Sequence, residues 1–122
     1  MSTAIEQARP AASFILSEAN GQRSRANGKA ITALKAGTVV KAVAATSDVP
    51  AHYVIVTASN EGDAINIYPI TAPDSGEEAD SAFIVRDAEV NGNLLTYPTG
   101  ANDVDKANIA AALATKGIIV RF

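Results

Sequence analysis

Short apolar runs separated by turn-forming residues make up most of this chain. We predict strands where these runs are dominated by β-branched and other large apolar residues. They are Ser13–Glu18, Thr38–Val43, Tyr53–Thr57, Ala64–Ile70, Phe83–Val85 and Ile118–Val120. Because each run is short and bounded by Gly, Pro, Asn or Asp, the pattern predicts a β-rich domain.

Three Asn-Gly pairs lie along the chain, at 20–21, 27–28 and 91–92. Asn-Gly is the strongest short-range hairpin signal, because both residues accept the positive φ of a type I′ turn. We therefore expect short strands connected by hairpins, the third pair joining residues 82–90 to 93–97. Residues 72–80 contain a proline, a glycine and four carboxylates, and we predict a solvated loop there.

One helix is predicted, over Val104–Thr115. Asn102 is a good N-cap, and two aspartates in the first turn favour the positive end of the helix dipole. The body contains five alanines, which are the best helix formers. Ile109 and Leu113 lie four residues apart, so we expect them to pack inward, and Gly117 is a typical residue after a helix end.

These elements predict an α+β, β-rich fold: a small single domain of short strands and hairpins with one C-terminal helix. Ile5 is the one large branched apolar residue in residues 1–12. We therefore expect residues 1–12 to form a flexible N-terminal arm and residues 13–122 to form the domain. The arm is either a disordered terminus without a role or a segment that binds a partner.

The composition excludes several kinds of chemistry. The 122 residues include no Cys and one His, His52, so the chain has no disulfide, thiolate nucleophile, zinc knuckle or multi-histidine metal site. We expect His52 to be a surface or edge residue. No run of 18 apolar residues exists, so we expect no membrane span. We predict no cofactor and no enzymatic activity.

Charge is unevenly distributed along the chain. Residues 1–45 carry six basic and two acidic groups, whereas residues 46–122 carry four basic and eleven acidic groups. Such asymmetry can mark a nucleic-acid-binding arm. The basic residues are scattered, and no aromatic residue lies among Arg23, Arg25 and Lys29. We therefore expect no nucleic-acid partner, because both a dense phosphate-binding patch and a stacking platform are missing.

Arg86, Asp87 and Glu89 form the one dense group of charges that follows a predicted buried strand. Paired carboxylates beside an arginine can act as acid and base catalysts. They can also form a structural ion-pair cluster where a strand turns. We favour the structural motif, because no aromatic residues that would form a pocket lie nearby.

Several segments resemble one family of phage proteins and occur in the same order. They are Phe14–Gly21, Leu34–Val40, Ala82–Asn91, Leu94–Pro98 and Ala110–Arg121. The sequence resembles the head decoration proteins of tailed bacteriophages, the lambda D-type family. Val85–Asn91 and the C-terminal helix and strand are the most distinctive parts. Residues 47–50 and 72–80 fit the family pattern poorly, and Asn66 stands where the family often has glycine.

The resemblance implies a structural virion protein. Such proteins are made in the bacterial cytoplasm, bind the outer surface of the expanded capsid as homotrimers and stabilise it against internal DNA pressure. The implied partners are the major capsid protein and further copies of the chain, with no nucleic acid and no membrane. The alternative is a virion surface domain that binds carbohydrate or a host cell.

We expect the arm and the first strand to contact the capsid. Phe14, Ile15 and Leu16 would add a strand to an exposed edge of the major capsid protein. Arg9, next to Pro10 in the arm, would pair with a capsid carboxylate. The alternative is that Phe14–Leu16 is an internal strand of the domain itself. We also expect the more basic end of the chain to face the shell.

Overall fold

The computed structural model describes residues 12–20, 23–57, 61–71 and 78–122. Within these ranges the predicted β-rich fold with a C-terminal helix is confirmed: the chain forms eight strands and one α-helix. The strands are β1 (Ile15–Glu18), β2 (Arg25–Ala30), β3 (Val39–Val43), β4 (His52–Ile55), β5 (Ala64–Asn66), β6 (Ala79–Ile84), β7 (Ala88–Asn91) and β8 (Ile118–Arg121). The helix is α1 (Asp103–Ala114).

The strands form a closed barrel and a separate small sheet. The barrel has the order β2-β4-β3-β5-β6 and closes through an antiparallel pairing of β2 with β6 over six residue pairs. The sheet has the order β1-β7-β8. In it β1 runs antiparallel to β7, whereas β8 runs parallel to β7. Among the described residues, β1 and β8 are therefore edge strands, and no barrel strand is.

Buried apolar side chains form two clusters. The inner core consists of Ala30, Leu34, Val40, Ala64, Ile70 and Phe83. The outer core consists of Phe14, Val39, Val56, Ile65, Ile67, Ile84, Ala88, Val90, Leu95, Ile109, Leu113 and Ile118. Successive strand residues point to opposite faces, so neighbouring residues such as Val39 and Val40 enter different cores. The outer core includes residues of α1, β7 and β8, which places it between the barrel and the sheet.

The helix forms as the sequence predicts. The Asn102 side chain accepts a hydrogen bond from the Asp105 amide at 2.9 Å, and the Asp105 carboxylate accepts one from the Asn102 amide at 3.2 Å. This reciprocal capping box satisfies two amides that otherwise lack partners. Ile109 and Leu113 are fully buried. Gly117, with φ +81°, occupies the left-handed conformation that ends many helices.

The Asn27-Gly28 pair is not a hairpin turn, because both residues lie inside β2. A Cβ atom at Gly28 would lie 2.7 Å from Tyr53 Cε2 and 2.8 Å from Phe83 Cε1. Glycine is therefore required here for the close approach of two rings, whose centroids are 4.4 Å apart. Glycine inside a strand often marks such a close approach.

The Asn91-Gly92 pair does not form a hairpin either. Asn91 ends β7, and its side chain accepts a hydrogen bond from the Asn93 amide at the start of a single 3-10 turn.

His52 also differs from the prediction. It is buried in a barrel strand, with Nδ1 2.9 Å from the Pro50 carbonyl oxygen. The loop prediction for 72–80 was wrong at its end, because β6 begins at Ala79. Residues 72–77 lie outside the described ranges. Gly21, the second residue of the first Asn-Gly pair, also lies outside them.

Candidate functional site

Strand β1 belongs to the domain, and the predicted contact of Phe14–Leu16 with the capsid stays a prediction. Phe14 is 2% exposed and lies in the outer core. Its carbonyl oxygen accepts a hydrogen bond from the Asn91 amide at 2.8 Å, and Ile15 pairs with Val90. The internal-strand alternative is therefore the one observed. Leu16, in contrast, is 53% exposed, beside an irregularity in the register between Ile15 and Ser17.

The end of β1 is fastened to the barrel by a charged cluster. The Glu18 carboxylate accepts hydrogen bonds from Arg25 Nε at 3.0 Å and Nη2 at 2.7 Å, and another from the buried Ser24 hydroxyl. The hydrogen bonds from Arg25 hold the pKa of Glu18 below its ordinary value. Arg25 therefore serves the fold of this domain, whereas Arg23 remains exposed to solvent.

Arg86, Asp87 and Glu89 are divided between different contacts rather than gathered into one cluster. Arg86 Nη1 donates to the carbonyl oxygen of Arg23 at 2.7 Å. Glu89 forms an ion pair with Arg121 of β8, and this hydrogen bond lowers the pKa of Glu89. Asp87 adopts a left-handed backbone, with φ 51°, at the turn between β6 and β7. The segment thus connects β6, β7 and β8.

A groove lies beside the first residues of α1, and sequence reasoning missed it. Its volume is about 400 Å³, and its lining includes Leu95, Tyr97, Lys106 and Phe122. The Tyr97 hydroxyl donates to the Gly92 carbonyl oxygen at 2.8 Å, and burial raises the pKa of Tyr97 to about 12. The lining comes from three separate parts of the chain, so no local sequence pattern indicates the groove. The one signal in the sequence is the aromatic residue Phe122, which the structure shows to be exposed.

Arg9 and Pro10, the two arm residues predicted to contact the capsid, lie outside the described residues. Within the described ranges, no group of three His, Cys, Asp or Glu side chains is arranged to hold a metal ion. No helix in the same part of the chain is long and apolar enough to cross a membrane.

Comparison with known proteins assigns the chain to a family. A family model described as Bacteriophage lambda head decoration protein D matches residues 3–118. The matched span includes the barrel, β1, β7, α1 and the first residue of β8. A search of curated proteins finds no match. Since the family model covers nearly the whole chain, the chain belongs to the family of the bacteriophage lambda head decoration protein D.

Proposed function

We propose that this phage head decoration protein binds the outer surface of the expanded capsid as a homotrimer and stabilises it against internal DNA pressure. Membership in the family supports the association with the capsid. The observation that carries the proposed contact is the position of β1. In the described part of the chain, β1 pairs with β7 on one side and with no strand on the other.

An open strand edge is suited to binding a further strand. Its unpaired amides and carbonyls can form main-chain hydrogen bonds with an extended segment of a partner. Leu16, more than half exposed on β1, would add an apolar contact. Because Phe14 is held in the outer core, it would position the strand rather than contact the capsid.

The arm precedes β1 directly, so both belong to one continuous contact in this proposal. Residues 1–12 would extend the contact along the capsid, with Arg9 and Pro10 near its middle and Arg9 paired to a capsid carboxylate. The chemistry is binding alone, with no bond made or broken. A ligand that binds only one state of a protein shifts the equilibrium towards that state. Many trimers bound to the expanded shell would therefore oppose its disassembly.

Two measurements test this function. Light scattering should give three times the mass of one chain. Co-sedimentation should show saturable binding to expanded phage heads and little binding to unexpanded heads. A variant lacking residues 2–12 should keep the circular dichroism spectrum of the domain and bind expanded heads more weakly.

Each part of the proposal has its own contradicting result. A monomeric mass would remove the homotrimer. Equal binding to both kinds of head would remove the preference for the expanded shell. Unchanged binding after deletion of residues 2–12 would remove the arm from the contact. Binding to glycans or host cells without any capsid would favour the alternative function.

A further inference from the structure

The groove beside α1 has the size and lining of a site for a side chain of another protein. Leu95, Tyr97 and Phe122 supply its apolar surface, and Asp103, Lys106 and Ala107 line it from the helix. Its volume of about 400 Å³ lies within the range of ordinary ligand sites, which are mostly apolar with a few polar groups.

Two side chains of this region could bind a partner. Phe122 is 63% exposed although it is large and apolar. Lys106 Nζ lies 5.2 Å from the centre of the Tyr97 ring, and it forms no ion pair with any carboxylate in the described ranges. The groove therefore offers an apolar surface next to a cation that lies over the Tyr97 ring and has no carboxylate partner in the described ranges.

The groove also lies next to the point where the arm joins the domain. The Phe14 carbonyl oxygen is bonded to the amide of Asn91 at 2.8 Å, and the next residue, Gly92, lines the groove. The Phe14 ring and Leu95 both approach Gly37, at 3.7 Å from the position of a Cβ atom there. A partner bound along the arm and β1 is thus brought to the rim of the groove.

We propose that this groove is a second contact with the major capsid protein, and that it binds a large apolar side chain adjacent to a carboxylate. The apolar side chain packs on Leu95, Tyr97 and Phe122, and the carboxylate pairs with Lys106. The inference rests on the proposed function. The capsid protein is the occupant because the groove continues the contact that begins at the arm and β1.

Filling the groove from the helix tests this assignment. Ala107 lines the groove and is exposed, so Ala107→Trp should block it without disturbing either core. Ala111 is also exposed, lies one turn further along α1 and is not part of the lining, so Ala111→Trp is the matched control. We expect Ala107→Trp to weaken binding to expanded heads by about tenfold or more, as blocking a central contact does. Ala111→Trp should change it by less than about twofold.

The cation is tested separately. Lys106→Gln should weaken binding to expanded heads several-fold, because a carboxylate of the partner would lose its charge-assisted hydrogen bond. Lys106→Arg keeps the charge and should restore most of the binding. If Lys106→Gln and Lys106→Arg bind alike, the role of the charge is refuted.

Light scattering on the same variants distinguishes the two possible partners. If Ala107→Trp lowers the mass of the oligomer, the groove is a contact between copies of this chain and the assignment to the capsid is wrong. If the wild type binds expanded heads and Ala107→Trp binds them equally well, the groove inference fails and the proposed function stands. If the wild type does not bind expanded heads, the proposed function fails and the groove inference falls with it.

Discussion

The barrel and the three-stranded sheet differ in whether the edges of their strands are paired. Every barrel strand has two neighbours, since the ring of β2, β4, β3, β5 and β6 is closed. In the part of the chain that the structure describes, the sheet has two open edges, at β1 and β8. Exposed edges invite pairing with another chain, and closure removes them. The barrel is therefore a self-sufficient scaffold, whereas the sheet can accept a partner.

Exposed large apolar side chains occur on both parts: Ile31 and Tyr68 lie beside barrel strands, and four others lie near the sheet. Leu16, Ile119 and Phe122 lie on or directly after the edge strands, and Val104 lies at the start of α1; all four are at least 40% exposed. Scattered exposed apolar residues are ordinary, but several on the two edge strands of one small sheet favour an interface there. The open edges and these exposed residues support the proposal that partners bind the sheet and α1.

The largest expected effect on the free energy of unfolding distinguishes the buried from the exposed side of β1. Phe14→Ala should lower the free energy of unfolding by about 3–5 kcal/mol, because it removes a large side chain from a packed core. Leu16→Ala should change it by less than about 0.5 kcal/mol, because that side chain is more than half exposed. Urea unfolding measures both. A neutral Phe14→Ala would mean that β1 is not part of the folded domain.

The next effect tests whether Asn27-Gly28 is a strand segment. Gly28→Ala should cost about 1–3 kcal/mol, because the added methyl group overpacks the rings of Tyr53 and Phe83. The cost should fall markedly when Gly28→Ala is made in a Tyr53→Ala background. A cost that is independent of Tyr53 would instead indicate a strained turn. Urea unfolding of the four variants of this double-mutant cycle measures the coupling.

A smaller effect concerns the cap of α1, which supports the groove side of the molecule. Asn102→Ala should cost about 1 kcal/mol, because the Asp105 amide loses its acceptor. Asn108→Ala, an exposed change within the same helix, is the control and should be neutral or slightly stabilising, since alanine is the better helix former. Thermal unfolding followed by circular dichroism checks both, and equal losses would argue against the capping box.

The smallest effect is a pH dependence at the junction between sheet and barrel. The folded-state pKa of Glu18 lies below its ordinary value of 4.5 because of the hydrogen bonds from Arg25. A carboxyl whose pKa is lowered by folding stabilises the protein above the unfolded-state pKa. That contribution is lost as the pH falls from 4.5 through the lower folded-state value.

Glu18→Gln removes this titrating group and serves as the test. In urea unfolding, the difference in stability between wild type and Glu18→Gln should shrink as the pH is lowered through this window. Glu89→Gln is the comparison, because Glu89 is the more exposed carboxylate and its pair with Arg121 should weaken with added salt. A constant difference between wild type and Glu18→Gln at all pH values would contradict the role of the Glu18 charge.

Elements whose signals are local could be predicted from the sequence. The helix and its ends depend on neighbouring residues, so Asn102, Ile109 and Gly117 were identified correctly. Gly28 could not be interpreted correctly, because its role depends on the Tyr53 and Phe83 rings, which are distant in sequence. An Asn-Gly pair carries the same local signal in a turn and in a crowded strand.

The candidate site was less predictable than the fold for the same reason. The place of β1 depends on pairing with β7, more than seventy residues further along the chain, and non-local pairing leaves little trace in a single sequence. The groove depends on residues 92–97, α1 and Phe122 meeting in space. The resemblance to the phage family implied the capsid as the partner, whereas the open edge of β1 and the groove could be located only in the structure.

The thermal stability of DNA-filled heads is the most direct test of the central claim. Heads lacking the decoration protein would be heated with and without saturating amounts of this chain, and DNA release would be followed with an intercalating dye. The account predicts that the bound chain raises the release temperature, and that the variant lacking residues 2–12 raises it less at the same concentration. Heads that are saturated with the chain but release DNA at the same temperature as bare heads would contradict it.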